Sequence, residues 1–163
     1  NPKTGSEAIE YFKSRGCTLW AYRCNTNMQT LPVLTYYRLF PWLGYQKKLD
    51  GVAFWSSFSS KGDDGFDHRD GYDDGITWRG LNKIPIPTKR LEAVREGLED
   101  VAYIHLLKQA IATARSKNPG QDLNAAEKLV GERFEQVLTR ESQPEVDAWR
   151  REVGETIDRL SRE

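Results

Sequence analysis

Charged side chains of both signs crowd between Arg90 and Asp100, as Arg90, Glu92, Arg95, Glu96, Glu99 and Asp100. On a helix, Glu92 meets Arg95 and Arg95 meets Glu99 as opposite charges, while Glu96 meets Asp100 as a like charge. Each such pair is worth about 0.2–0.5 kcal/mol when solvated. The residue types allow either a solvated face laced with ion pairs or guanidinium–carboxylate ties from the helix to neighbouring strand ends. Other reactive types are sparse. His68 and His105 have no Ser, Cys or Asp arrangement about them, so a nucleophilic triad lacks support. Asp63, Asp64, Asp67, Asp70, Asp73 and Asp74 gather between Lys61 and Gly80, yet no stretch fits the D-x-[DN]-x-[DN]-G calcium loop. Cys17 and Cys24 read as two inert thiols, and their number excludes CxxC metal sites and disulfide frameworks. No metal or cofactor is implied.

The charged run sits on a long helical pattern. Two prolines, Pro85 and Pro87, favour an extended approach, and the helix is predicted to begin near Thr88. Leu91, Val94, Leu98, Val101, Ile104 and Leu107 recur every three or four positions and predict its core stripe. Upstream, Ser6 to Lys13 reads as a short helix capped by Ser6 and ended by Gly16. CTLWAYRC, residues 17–24, carries apolar residues on both faces and predicts a buried parallel strand. Asn25 and Asn27 follow its carboxyl end, where α/β folds place their ligands. A helix from about Pro32 to Leu49, bent or interrupted at Pro41, leads to a second buried strand in VAFWSSFSS, residues 52–60. Residues 61–80 read as a long loop expected to pass over the mouth of the site, with Phe66, Tyr72 and Trp78 providing contacts. After the break at Asn118–Gly120, Asn124 and Glu127 suggest a capping box for a helix reaching Leu138, and Pro144 starts a last helix along Val146, Trp149, Val153, Ile157 and Leu160.

The chain has 163 residues, with 24 basic and 24 acidic side chains, so no net field draws it to nucleic acid or an anionic membrane. No apolar run approaches the roughly 20 residues that span a bilayer. The chain lacks an initiator Met and reads as an excised domain, so the missing signal peptide says nothing of the parent.

PIPTKRLEAVREGLEDVAYIHLL, residues 85–107, resembles the closing helix motif P-I-x-S-x-R-x-E-x-x-R-E-G-x-E-D-x-x-Y of the barrel domain catalogued as domain of unknown function 4091, which glycoside hydrolase family 123 shares. Pro85, Ile86, Thr88, Arg90, Glu92, Arg95, Glu96, Gly97, Glu99, Asp100 and Tyr103 carry the match, and Thr88 in place of serine keeps the capping hydroxyl. LWAYRCN and GVAFWS are looser matches. The resemblance implies an α/β fold in which residues 1–108 are the last βα units of a TIM-type (β/α)8 barrel and residues 109–163 a helical extension packed on it. It implies action on N-acetylhexosamine glycans, assisted by the substrate's own acetamido group and an Asp-Glu pair closing an earlier strand. No such pair closes either strand here, so the chain is expected to supply sugar contacts and not the catalytic acid. Under that reading Trp55 and Tyr22 stack on a pyranose, while Arg23, Asn25 and Arg38 hydrogen-bond its hydroxyls. Barrel filling is the alternative role for the two aromatics, and ion pairing for the arginines. An extracellular or periplasmic setting is implied by the resemblance alone.

Two doubly buried parallel strands cannot support themselves in water. The remaining strands are therefore expected from the parent protein or from another copy of the chain, unless residues 76–79 add one. The competing function class is a non-catalytic carbohydrate-binding or scaffold module.

Overall fold

The computed structural model describes residues 2–24, 31–57, 75–79, 82 and 84–162. In chain order these form α1 (Pro2–Lys13), β1 (Trp20–Cys24), a π-helical turn (Val33–Arg38), α2 (Leu39–Gln46), β2 (Gly51–Trp55), β3 (Thr77–Arg79), β4 (Pro85–Pro87), α3 (Lys89–Lys117), α4 (Asn124–Val130), α5 (Glu132–Arg140) and α6 (Gln143–Arg162). The protein is helix-rich with α/β character. It divides into two compact units, Asn1–Leu31 with Leu43–Glu92 and Pro32–Trp42 with Ala93–Glu163. Residue 108, the boundary expected from the family resemblance, lies inside α3.

In the first unit β1 and β2 pair in parallel, in a register that sets Trp20 opposite Gly51, Tyr22 opposite Ala53 and Cys24 opposite Trp55. Among the described residues no further strand joins them. Asp50 fixes the start of the pair: its N–H donates to the Leu19 carbonyl at 2.9 Å, and its carboxylate accepts the Leu19 N–H at 2.7 Å. The strand suggested at residues 76–79 exists as β3, but it pairs antiparallel with β4 in a separate ribbon. Burial on both faces, expected for β1 and β2, is not found. Trp20, Tyr22 and Trp55 are 65, 69 and 58 % exposed. Side chains alternate along a strand, so these three share one face with Cys24, Gly51 and Ala53, and that face is open. Val52 points the other way and meets α2 at Gly44, where an added Cβ would lie 2.6 Å from the valine methyl.

The second unit is built around stacked aromatics. The Trp42 ring lies 5.0 Å from Phe134, nearly parallel to it, and 4.5 Å from Trp149. Trp149 Nε1 donates to the Leu129 carbonyl at 3.0 Å, which satisfies the only polar atom that this ring buries. Val146, Trp149, Val153 and Leu160 of α6 are buried, as their spacing predicts. Three expectations are corrected here. The helix predicted from residue 124 to 138 is broken at Gly131 into α4 and α5. The Asn124–Glu127 capping box is not formed; the Asp122 carboxylate accepts the Asn124 N–H at 3.0 Å instead. And α3 buries Ala93, Gly97, Asp100, Ile104, Leu107, Ile111 and Ala114, while Leu98 is exposed and Leu91, Val94 and Val101 are only half-buried.

Candidate functional site

Two groupings of side chains carry chemistry, one in each unit. In the first unit, register places Tyr22 diagonal to Trp55 across the β1–β2 pair, about 7–8 Å apart by ordinary sheet spacing. Trp20 extends the row: its indole lies flat over Gly51, where an added Cβ would come within 2.6 Å of the ring. Small residues thus floor a strip whose upright members are aromatic, a surface suited to the apolar face of a sugar ring or to any flat apolar group. Trp55 ends its strand, at the carboxyl end where parallel sheets present ligands. Arg23 lies on the opposite face of β1 and is half-buried. Asn25 lies outside the described residues, as do His68 and the aspartate-rich loop up to residue 74.

Arg38 belongs to the second unit. The residue is 2 % exposed, and its guanidinium meets three carboxylates. Nε donates to Asp100 at 2.9 Å, Nη2 to the other Asp100 oxygen at 3.4 Å, and Nη1 to Asp147 at 2.7 Å, with Glu96 3.2 Å away. Asp100 is fully buried; it also accepts the Trp42 indole N–H at 3.2 Å and faces Arg150 at 3.4 Å. Arg150 binds Glu99 and lies 5.2 Å over the Tyr103 ring, and Arg95 binds Glu99 from its own helix as the i, i+4 spacing predicts. Arg38 stands between Glu96 and Asp100, which turns the like-charge pair expected on α3 into a clamp.

Gly97 makes this approach possible. An added Cβ there would lie 2.1 Å from the Arg38 carbonyl oxygen and 3.1 Å from the Pro41 ring. Pro41 has no N–H to give and crowds the preceding turn, which is drawn as a π-helix whose last bond runs from the Leu39 N–H to the Leu34 carbonyl.

The electrostatics follow from these contacts. Burial would lower the Arg38 pKa, but hydrogen bonds and charges from Asp100, Asp147 and Glu96 raise it. Burial pushes the Asp100 carboxyl up, against the pull of Arg38, Arg150 and Trp42. The Arg150 hydrogen bond holds Glu99 low, and Asp147 is held low because Gln143 and Arg38 outweigh its burial. A depressed carboxyl stabilises the fold above its ordinary value and loses that contribution as pH falls through its native one; a raised carboxyl does the reverse. Glu99 and Asp147 thus favour neutral pH and Asp100 acid pH. In urea unfolding followed by circular dichroism, stability falls as pH drops below about 4. Asp147→Asn flattens that acid limb, and an unchanged limb would remove Asp147 from the account.

The first half of the 85–103 motif works in the other unit. The Thr88 hydroxyl donates to the Ile76 carbonyl at 2.6 Å while accepting the Arg90 N–H at 3.1 Å, so one side chain both caps α3 and holds the incoming chain. Buried Arg90 donates to the Gly75 carbonyl at 2.8 Å.

Sequence reasoning missed Trp20, Asp147 and Arg150. Trp20 was legible as the aromatic in period two with Tyr22. The signal on α6 was an Asp and an Arg one turn apart, flanking the buried Val146 and Trp149. Among the described residues no three His, Cys, Asp or Glu side chains group to hold a metal ion, and no helix is long and apolar enough to cross a membrane. No family model, curated protein or solved structure matches the chain.

Proposed function

We propose that the chain is the C-terminal portion of a glycoside hydrolase-like barrel acting on N-acetylhexosamine-containing glycans, and that it supplies a sugar-stacking wall and not the catalytic acid. The observation that carries this reading is the open aromatic face of Trp20, Tyr22 and Trp55 on a parallel strand pair. Parallel sheets are ordinarily covered on both sides, because their crossovers lay helices over them. Here α2 meets one face at Gly44, and the other presents Trp55 at the carboxyl end of β2, with Tyr22 mid-strand and Trp20 at the amino end of β1. In a barrel that open face is the interior, and its upper rim is where substrate sits. Among the described residues no strand pairs with the outer edges of β1 and β2, which fits the same reading, with further strands contributed by the rest of a parent protein. The first half of the closing motif holds the Gly75 and Ile76 carbonyls, and the Ile76 and Thr77 N–H groups donate to the Ser56 and Ser57 carbonyls beyond the end of β2, which keeps that rim in order.

Titration of intrinsic tryptophan fluorescence with N-acetylgalactosamine, N-acetylglucosamine and glucose tests the proposal. A saturable response to the N-acetylated sugars, lost in Trp55→Ala and weakened in Tyr22→Ala, is expected. Because Trp55 is largely exposed, its removal costs far less stability than the roughly 3–5 kcal/mol of a deleted core aromatic. No response to any of the three sugars, or an unchanged response in Trp55→Ala, would overturn the assignment.

A further inference from the structure

The connection between β1 and β2 contains a segment that belongs to neither strand's unit. Residues 32–42 lie with Ala93–Glu163, while Leu31 before them and Leu43 after them lie with the sheet. Residues 37–42 are all buried, six in succession, a pattern that a helix on a surface cannot show. The contacts are anchored at two points four residues apart. Arg38 is held by Glu96 and Asp100 of α3 and Asp147 of α6, and Trp42 by Asp100, by Phe134 of α5 and by Trp149 of α6. Two of the Arg38 partners, Asp100 and Asp147, are 62 and 109 residues away in sequence. Without the segment, α3, α5 and α6 would lose the ring at the centre of their core and would leave Asp100 buried beside Arg150 alone. Without those helices, the segment would keep neither its packing nor its counter-charges.

We infer that residues 32–42 are the closing piece of a discontinuous helical unit, and that this unit opens and closes as one body with its boundary inside α2, between Trp42 and Leu43. The continuous helix α2 is therefore shared between two cooperative units, its first turn in one and its last in the other. The sheet can then open or rearrange locally while the helical unit stays shut, which suits a strand pair with an open apolar face. This inference is independent of the sugar reading.

Hydrogen–deuterium exchange of the full chain, followed by mass spectrometry across a series of sub-denaturing urea concentrations, tests it. Amides of residues 33–42 are expected to exchange at the rate of residues 100–111 and 146–160 and to share their urea dependence. Residues 20–24 and 51–55 are expected to exchange faster. Asp147→Asn, which weakens one charge-assisted hydrogen bond from α6 to Arg38, should speed exchange about tenfold in 33–42, 100–111 and 146–160 together and leave the strands unchanged. Exchange of 33–42 at the rate of the strands would overturn the inference. So would an Asp147→Asn effect confined to 33–42, which marks local fraying, or one spread evenly over the chain, which marks a single unit. The urea series on the unaltered protein decides the question even if the variant folds poorly.

Discussion

Replacing Arg38 with Met is expected to destabilise the helical unit by about 3–5 kcal/mol, the range seen when a buried ion pair loses one partner. The change removes a single positive charge from contact with Glu96, Asp100 and Asp147. Asp100, fully buried, would keep Arg150 at 3.4 Å and the Trp42 indole. Asp100→Ala should cost less, near the lower end of that range, because Arg38 retains Glu96 and Asp147 at the half-exposed margin. The double variant Arg38→Met, Asp100→Leu should recover much of the single loss, since an apolar pair of similar volume carries no uncompensated charge. The defect also has a defined pH dependence. With Arg38 gone, Asp100, already pushed up by burial, titrates higher still in the folded state, so its stabilising form is the protonated one and the deficit shrinks as pH falls from neutral towards about 4. A loss under about 1 kcal/mol at pH 7, in urea unfolding followed by circular dichroism, would show that the network is incidental to the fold.

Gly97→Ala should destabilise by about 1–3 kcal/mol or more, although the same change in an open helix stabilises by nearly 1 kcal/mol. Geometry decides the sign. The new methyl would lie 2.1 Å from the Arg38 carbonyl oxygen, a backbone atom that cannot swing away, so α3 must move off the π-helical turn and stretch the bond from Arg38 to Asp100. Gly5, in α1, has nothing within 4 Å of an added Cβ, and Gly5→Ala is the matched control, expected to be neutral or stabilising. Equal melting temperatures for the two variants would mean that the close approach at Gly97 relaxes without cost.

Both results turn on the run from Arg90 to Asp100, which by spacing alone reads as a solvated face. Arg95 behaves that way, paired to Glu99 at the surface. Glu96 and Asp100 do not, because a cation from residue 38 lies between them. The apolar stripe of α3 was legible only in its second half, at Ile104 and Leu107. In its first half Leu91, Val94 and Leu98 are the most hydrophobic residues, yet Ala93, Gly97 and Asp100 face inward. Periodicity weighs side chains by their own hydrophobicity and cannot register a backbone that needs room or an arginine that needs a carboxylate.

What the sequence determined by itself was whatever acts within a turn or two. The prolines at 85 and 87 and the hydroxyl of Thr88 placed the start of α3, Pro41 disturbed the helix before β2, and the stripe from Val146 to Leu160 marked α6. The order strand, helix, strand and the parallel pairing of β1 with β2 followed from composition and length. Only the tertiary structure decided which face of α3 is buried, that the segment 32–42 closes the helical unit, and that one side of the strand pair stays open with Trp20, Tyr22 and Trp55 upon it. Those outcomes depend on groups some 60 to 110 residues apart in the chain, and on how close two backbones come, and neither quantity is written in local spacing.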